Sequence, residues 1–251
     1  MKPTDIVYIL GNGSKFGDDA ELRFSLRSMA NQPWLNNIYL IGHKPKWVKN
    51  IIHIPCPDHH PAKRKDINLI TKILRACSIP ELTEDFVVNS DDQFALKILN
   101  TEDFGPWEEY PAQYNDIKHV DIQNITSTWK QRLKQTVDYC LRNKMPTFVT
   151  ELHTPYLVNK RLYPQLMHTV PWHLGNGLLT HVYFNLMNHH GYLPAPTLNK
   201  NAAIRIKEGL THQTIDAITS NKIFLNFNNP GFSPDMKYFL NKRFPVKSKY
   251  E

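Results

Sequence analysis

The sequence predicts an α/β fold, with a mostly parallel sheet flanked by helices and a more helical, more basic C-terminal part. Three observations predict it. Apolar, β-branched runs of strand length alternate with stretches of helical periodicity through the first hundred residues. Two of those runs end in turns with chemical character, Gly11-Asn12-Gly13-Ser14 after the first and Asp91-Asp92 after the last. The charge also divides: residues 1–110 carry 13 Lys/Arg and 15 Asp/Glu, whereas residues 111–251 carry 17 and 8. A length of 251 residues suits one continuous domain, read here as two halves, 1–110 and 111–251.

Asp5-Ile6-Val7-Tyr8-Ile9-Leu10 reads as the first strand, and Asp18 or Asp19 can cap a helix running to about Met29, with Leu22, Leu26 and Met29 on one face. Asn37 to Ile41 is a second strand closed by Gly42, and Ile51 to Ile54 a third, bounded by Pro55. Lys63-Arg64-Lys65-Asp66 opens a helix in which Ile67, Ile70, Ile73, Leu74 and Cys77 recur at helical spacing. The Phe86-Val87-Val88-Asn89 strand follows. Residues 100–116 read as an irregular loop beside a cleft, and Trp129 to Lys144 as a helix bearing Lys130, Arg132, Lys134, Arg142 and Lys144 against Asp138 alone. Pro146 to Pro155 reads as a strand with Glu151 and His153 on one face, and Pro171 to Gly177, with His173, leads into an apolar helix. Lys222 to Pro230 is a short strand, after which Phe239 and Phe244 pack the tail onto the body.

The chemistry centres on Asp91 and Asp92. A buried strand cannot keep two unpaired carboxylates, because desolvating a charge is costly without a cation or hydrogen bonds, so the pair is expected at a strand end facing a cleft. Carboxylates so placed suit Mn2+ or Mg2+ carrying substrate phosphates; an Asp-rich turn is the alternative. In open α/β sheets ligands bind beyond the carboxyl ends of the strands, where Gly11, Asn12 and Gly13 also lie. Lys63, Arg64 and Lys65 oppose a helix dipole, which an anion such as a diphosphate would explain and a solvated loop cluster would equally allow. Lys130, Arg132 and Lys134 form the candidate recognition element for a polyanion such as DNA or for a phosphate-rich substrate, a charged, solvated helix face being the alternative.

Other classes are excluded. Three dispersed cysteines make neither a disulfide framework nor a zinc site and fit a reducing cytoplasm, and no apolar run approaches the length of a membrane span. Twelve histidines invite zinc, yet no H-E-x-x-H or Cys/His spacing is present.

Several blocks resemble a known family. Asp5 to Tyr8, Asp19-Ala20-Glu21-Leu22-Arg23-Phe24-Ser25-Leu26-Arg27-Ser28, Pro33 to Leu40 and Pro45 to Val48 resemble the opening blocks of the Stealth family, sugar-phosphate transferases of capsule synthesis. Val88 to Gln93 resembles its Asn-Asp-Asp block, and Phe239-Leu240 through Lys247-Ser248-Lys249-Tyr250-Glu251 its C-terminal block. The resemblance implies a glycosyltransferase type A-like core with a nucleotide-diphosphate sugar donor held in residues 1–110. It implies metal on Asp91 and Asp92, and donor or scaffold roles for Arg23 and Arg27. The family's aromatic-Val-Asp/Asn-Gly turn is Leu10-Gly11-Asn12-Gly13 here, which leaves glycosyl and sugar-1-phosphate transfer both open. Small proteins of this appearance occur in phage genomes, which implies a hydroxymethylated DNA base as an acceptor. The general base would be His153, His173 or Glu151. The alternatives are a sugar-1-phosphate transferase acting on a glycan and a non-catalytic nucleic-acid-binding protein on a transferase fold.

Overall fold

The computed structural model describes residues 1–11, 19–60, 65–108, 117, 119–150, 153–172 and 177–251. Its first half runs β1 (Thr4–Leu10), α1 (Ala20–Ala30), β2 (Leu35–Gly42), β3 (Ile52–Ile54), α2 (Lys65–Cys77) and β4 (Asp85–Asn89), the alternation that the sequence predicts. The strands form a sheet in the order β3-β2-β1-β4-β7, where β7 (Tyr156–Asn159) joins antiparallel and all other neighbours pair parallel. Every residue of β1 is buried. One face, Ile6, Tyr8 and Leu10, packs with Leu22, Leu26 and Met29 of α1, and the other, Val7 and Ile9, with Ile70 and Ile73 of α2. Burial on both faces is why β1 is a continuous apolar run and not an alternating one.

A smaller sheet has the order β5-β10-β9, formed by β5 (Gln93–Ala95), β10 (Phe224–Phe227) and β9 (Ala203–Ile206). It packs against α6 (His212–Thr219) and α7 (Pro234–Arg243) through Phe94, Phe227, Ile215, Met236 and Phe239. In the chain between β5 and β9 lie α3 (Thr128–Arg142), α4 (Leu162–Met167) and α5 (Leu179–His189), and a short parallel pair, β6 (Trp107–Glu108) with β8 (Thr197–Leu198). The second half thus supplies β7 to the main sheet. Among the described residues no helix is long and apolar enough to cross a membrane.

Two local expectations are corrected. Residues 146–155 contain no described strand; strand structure begins at Tyr156, because the Phe148 N–H donates to the Asn185 side chain, whose amide donates back to the Phe148 carbonyl. Asp19 occupies the N-cap position of α1 but makes no capping hydrogen bond, since its backbone is left-handed, with φ 47°. Its carboxylate lies 3.9 Å from His43 instead; Asp18 is outside the described residues.

The tail is anchored. Arg27 donates to both carboxylate oxygens of Glu251 at 2.8 and 2.7 Å and to the Phe244 carbonyl at 3.1 Å, while Tyr250 is buried against the α1 face of the main sheet. Phe239 is buried and Phe244 packs partly beside it, as expected. Burial alone would raise the Glu251 carboxyl, but hydrogen bonds from Arg27 and the Ser248 N–H outweigh it and hold it below its ordinary 4.5. A lowered carboxyl contributes stability above its unfolded-state value and loses it as pH falls through its folded-state value. E251Q is therefore expected to lower unfolding free energy by about 1–3 kcal/mol at pH 7, with the gap to wild type closing as pH falls below the ordinary 4.5; urea titrations across pH check this.

Candidate active site

Asp91 and Asp92 form the turn between β4 and β5, at the carboxyl end of the main sheet. The turn is held from below by α1. The Ser25 hydroxyl lies 2.6 Å from the Gln93 carbonyl and 3.2 Å from the Ser90 carbonyl, one on each side of the two aspartates, and 3.1 Å from the buried Tyr8 hydroxyl. Further along the same helix and just beyond it, Ser28 accepts from the Ala95 N–H and Gln32 accepts from the Leu99 N–H. A row of small polar side chains on α1 thereby satisfies backbone groups of the chain leaving the turn.

The two carboxylates face a cleft of about 300 Å3. Its other walls include Lys65 and Asp66 at the start of α2, Pro106 and Trp107 before and in β6, Thr150, His153 and Thr154 ahead of β7, Thr180 and Phe184 on α5, and Arg205 on β9. Neither Asp91 nor Asp92 is ion-paired to a described residue, and neither are Lys65 and Arg205. Burial pushes both carboxyls above the ordinary carboxylate range. For Asp91 the charges of Asp92 and Glu21 push in the same direction. For Asp92 the Arg205 guanidinium pulls back, with Lys65 assisting more weakly. Among the described residues the aspartate pair therefore has only the longer-range charges of Arg205 and Lys65 to offset it, with no ion pair to either. Two adjacent carboxylates can supply oxygen ligands to a hard divalent ion that completes its shell from phosphate and water. Among the described residues no group of three or more His, Cys, Asp or Glu is placed to hold a metal ion.

Of the other expected residues, Gly11 ends β1 at the same edge of the sheet, exposed. His153 lines the cleft, in a left-handed backbone conformation (φ 49°), with its carbonyl accepting from Asn226 of β10 at 3.0 Å. A non-glycine residue there is locally strained, and the second sheet holds it. Arg23 lies over the Trp47 ring at 3.9 Å and 3.8 Å from Glu251, so both Arg23 and Arg27 make the contacts of scaffold residues. Arg132 is ion-paired to Asp66 and Lys134 to Asp138, leaving Lys130 exposed on α3. Asn12, Gly13, Lys63, Arg64, Glu151 and His173 lie outside the described residues. Arg205, Trp107, Thr150 and Thr180 were not legible as site residues, because nothing local in the sequence distinguishes them from ordinary strand, loop and helix positions.

Comparison of the whole fold with solved structures finds the galactosyltransferase LgtC, in complex with donor and acceptor sugar analogues, at a TM-score of 0.50 and 8% identity, covering 98% of each chain. The fold is glycosyltransferase type A-like. An active-site mutant of LgtC matches at 0.47 and 9% identity, covering 98% of each chain. Mouse xyloside xylosyltransferase 1 matches at 0.47 and 10% identity, covering 92% of this chain and 99% of that one. No family model and no curated protein matches the sequence, so the Stealth resemblance stands on its quoted blocks alone.

A carboxyl raised in the folded state contributes stability below its unfolded-state value, near 3.8 here, and that contribution is lost as pH rises through the folded-state value. In metal-free protein D91N is expected to raise the melting temperature by roughly 2–6 °C at pH 8, and to change it little at pH 4. Mn2+ should stabilise wild type at pH 8 and not D91N. Thermal melts with and without chelator measure both.

Proposed function

We propose that the protein is a metal-dependent glycosyltransferase that moves a sugar from a nucleotide-diphosphate sugar to an acceptor hydroxyl. The observation that carries this reading is the adjacent pair Asp91 and Asp92 at the end of β4, ion-paired to no described residue and sharing a cleft with Lys65 and Arg205. Asp91 and Asp92 would hold Mn2+ or Mg2+, which when bound supplies charge neutralisation for a departing diphosphate. Lys65 and Arg205 bind and orient the phosphate oxygens from the cleft walls, in a site shielded enough for such charges to act strongly. The His153 imidazole is the described candidate to take the acceptor proton, with Glu151 and His173 proposed beside it on the sequence reading.

The acceptor is a hydroxyl presented against Trp107, Thr154 and Thr180, a wall of one indole and small polar groups that suits a sugar ring. Two of the three α3 cations expected to grip DNA are engaged by the protein's own carboxylates, which weakens the electrostatic support for a hydroxymethylated base as acceptor. The Glu-Leu-Arg block and the C-terminal block of the Stealth resemblance meet in the Arg27–Glu251 contact, which keeps sugar-1-phosphate transfer to a glycan as the second reading.

A panel of nucleotide sugars with Mn2+ or Mg2+ tests the reading. At least one donor is expected to raise the melting temperature through mass action. D91A and D92A should abolish that rise and lower turnover by about 100-fold or more. The product mass separates the reactions: gain of a sugar alone supports glycosyl transfer, and gain of a sugar phosphate supports the second reading. No stabilisation by any donor in wild type would count against the whole assignment.

A further inference from the structure

A second cavity, of about 340 Å3, lies between α3 and the chain that leads from α4 into α5, and it shares no described residue with the aspartate cleft. Helical periodicity places the same two helices at both. On α5, Thr180 and Phe184 stand one turn apart and face the cleft, while Val182, half a turn from each, faces the second cavity. On α3, Arg132 reaches Asp66 on the cleft wall, and Tyr139 and Arg142 further along the helix line the second cavity. Tyr139 is about 10 Å from Arg132 along the helix axis, so the two cavities stand on the order of 10 Å apart. The start of α5 is the wall between them, and it is fixed. The Thr136 hydroxyl accepts from the Leu178 N–H at 2.8 Å and donates to the Arg132 carbonyl at 2.9 Å, and a Cβ on Gly177 would already touch that hydroxyl at 3.3 Å.

The second cavity combines one aromatic face with two charged groups. Trp172 is half-buried against the core, and its indole N–H donates to the Met167 carbonyl at 3.1 Å, which holds the ring in place. Asp138 and Arg142 stand one turn apart on α3 and therefore on one face. Asp138 gives one carboxylate oxygen to Lys134; its other oxygen is bonded to no described residue. Arg142 is exposed and makes no ion pair or hydrogen bond with a described residue. An indole face covers the C–H face of a pyranose, a carboxylate accepts from its hydroxyls, and a guanidinium donates to its oxygens. A nucleic-acid strand also stacks on indole, but it would bring phosphates against Asp138, a like-charge contact. A sugar ring meets no such opposition.

We propose that this cavity is a second carbohydrate subsite, in which Trp172, Asp138 and Arg142 hold one ring of a glycan chain whose reacting end lies in the aspartate cleft. A single sugar or a single base cannot occupy both cavities, so the acceptor is an oligosaccharide or polysaccharide. This rests on the transferase reading above and names the acceptor class for it.

The test is binding of labelled protein to an immobilised panel of monosaccharides, linear oligosaccharides of increasing length and single-stranded oligonucleotides, with W172A and R142A alongside wild type. Wild type is expected to bind at least one oligosaccharide about 10-fold or more tightly than its constituent monosaccharides, and each variant to weaken that binding by about 10-fold. Both variants should keep the rise in melting temperature that a nucleotide sugar gives wild type; if W172A does not fold, R142A, altered only at an exposed side chain, decides alone. Wild type that binds no glycan, or that binds a monosaccharide as tightly as the chain built from it, overturns the proposal. So does R142A that binds glycan like wild type, or an oligonucleotide held in preference to every glycan. In each of these cases stabilisation by a nucleotide-sugar donor leaves the transferase reading standing. Absence of both glycan binding and donor stabilisation in wild type overturns both.

Discussion

Two-sided burial of the main sheet governs this molecule. β1 and β4 are covered by α1 on one face and by α2 and α5 on the other, so a charge along their length would be desolvated with nothing to compensate it. Ionisable groups are displaced to the strand ends. At the amino end Asp5 is buried but saturated, accepting from the side chains of Asn36 and Asn37 and the N–H groups of Asn37 and Thr83. At the carboxyl end, among the described residues, Asp91 and Asp92, one oxygen of Asp58 and the cations Lys65 and Arg205 make no ion pair or hydrogen bond of this kind.

α1 connects the core to the aspartate turn. Its apolar stripe builds the core, its small polar row, Ser25 and Ser28, holds the chain on either side of the aspartate turn, and its Arg27 fixes the tail through Glu251. Its buried Glu21 adds negative potential behind Asp91. A helix that pins a charged turn from behind makes the turn rigid before any ligand arrives. Such preorganisation is what an electrostatic site requires, since reorienting groups during binding would offset the gain.

The distribution of charge in space differs from its distribution along the chain. The second half is strongly basic in sequence, yet Arg132 reaches back to Asp66 of the first half and Lys134 is paired within its own helix. Arg205, from a short strand near the end of the chain, instead brings its charge to the aspartates of the first half. Net charge therefore describes the long-range field of this protein and says little about which cations stand in the cleft.

The alternation of strands and helices and the end of β4 in a carboxylate pair were legible in the residues, because apolar periodicity and turn chemistry are local. The helix over α3 was legible for the same reason, and so was the anchoring of the tail by Phe239. The strand expected at 146–155 failed because a side chain from α5 satisfies that backbone, which no local pattern reveals. The site walls failed likewise: Arg205 and Trp107 enter the cleft only after the second sheet has packed beside the first. By itself the sequence determined the sheet, its carboxyl edge and the two aspartates on it. Only the tertiary structure decided which cations face them, and that the buried Lys72 pairs with Asp58 at the same edge, because both depend on side chains meeting across long stretches of chain.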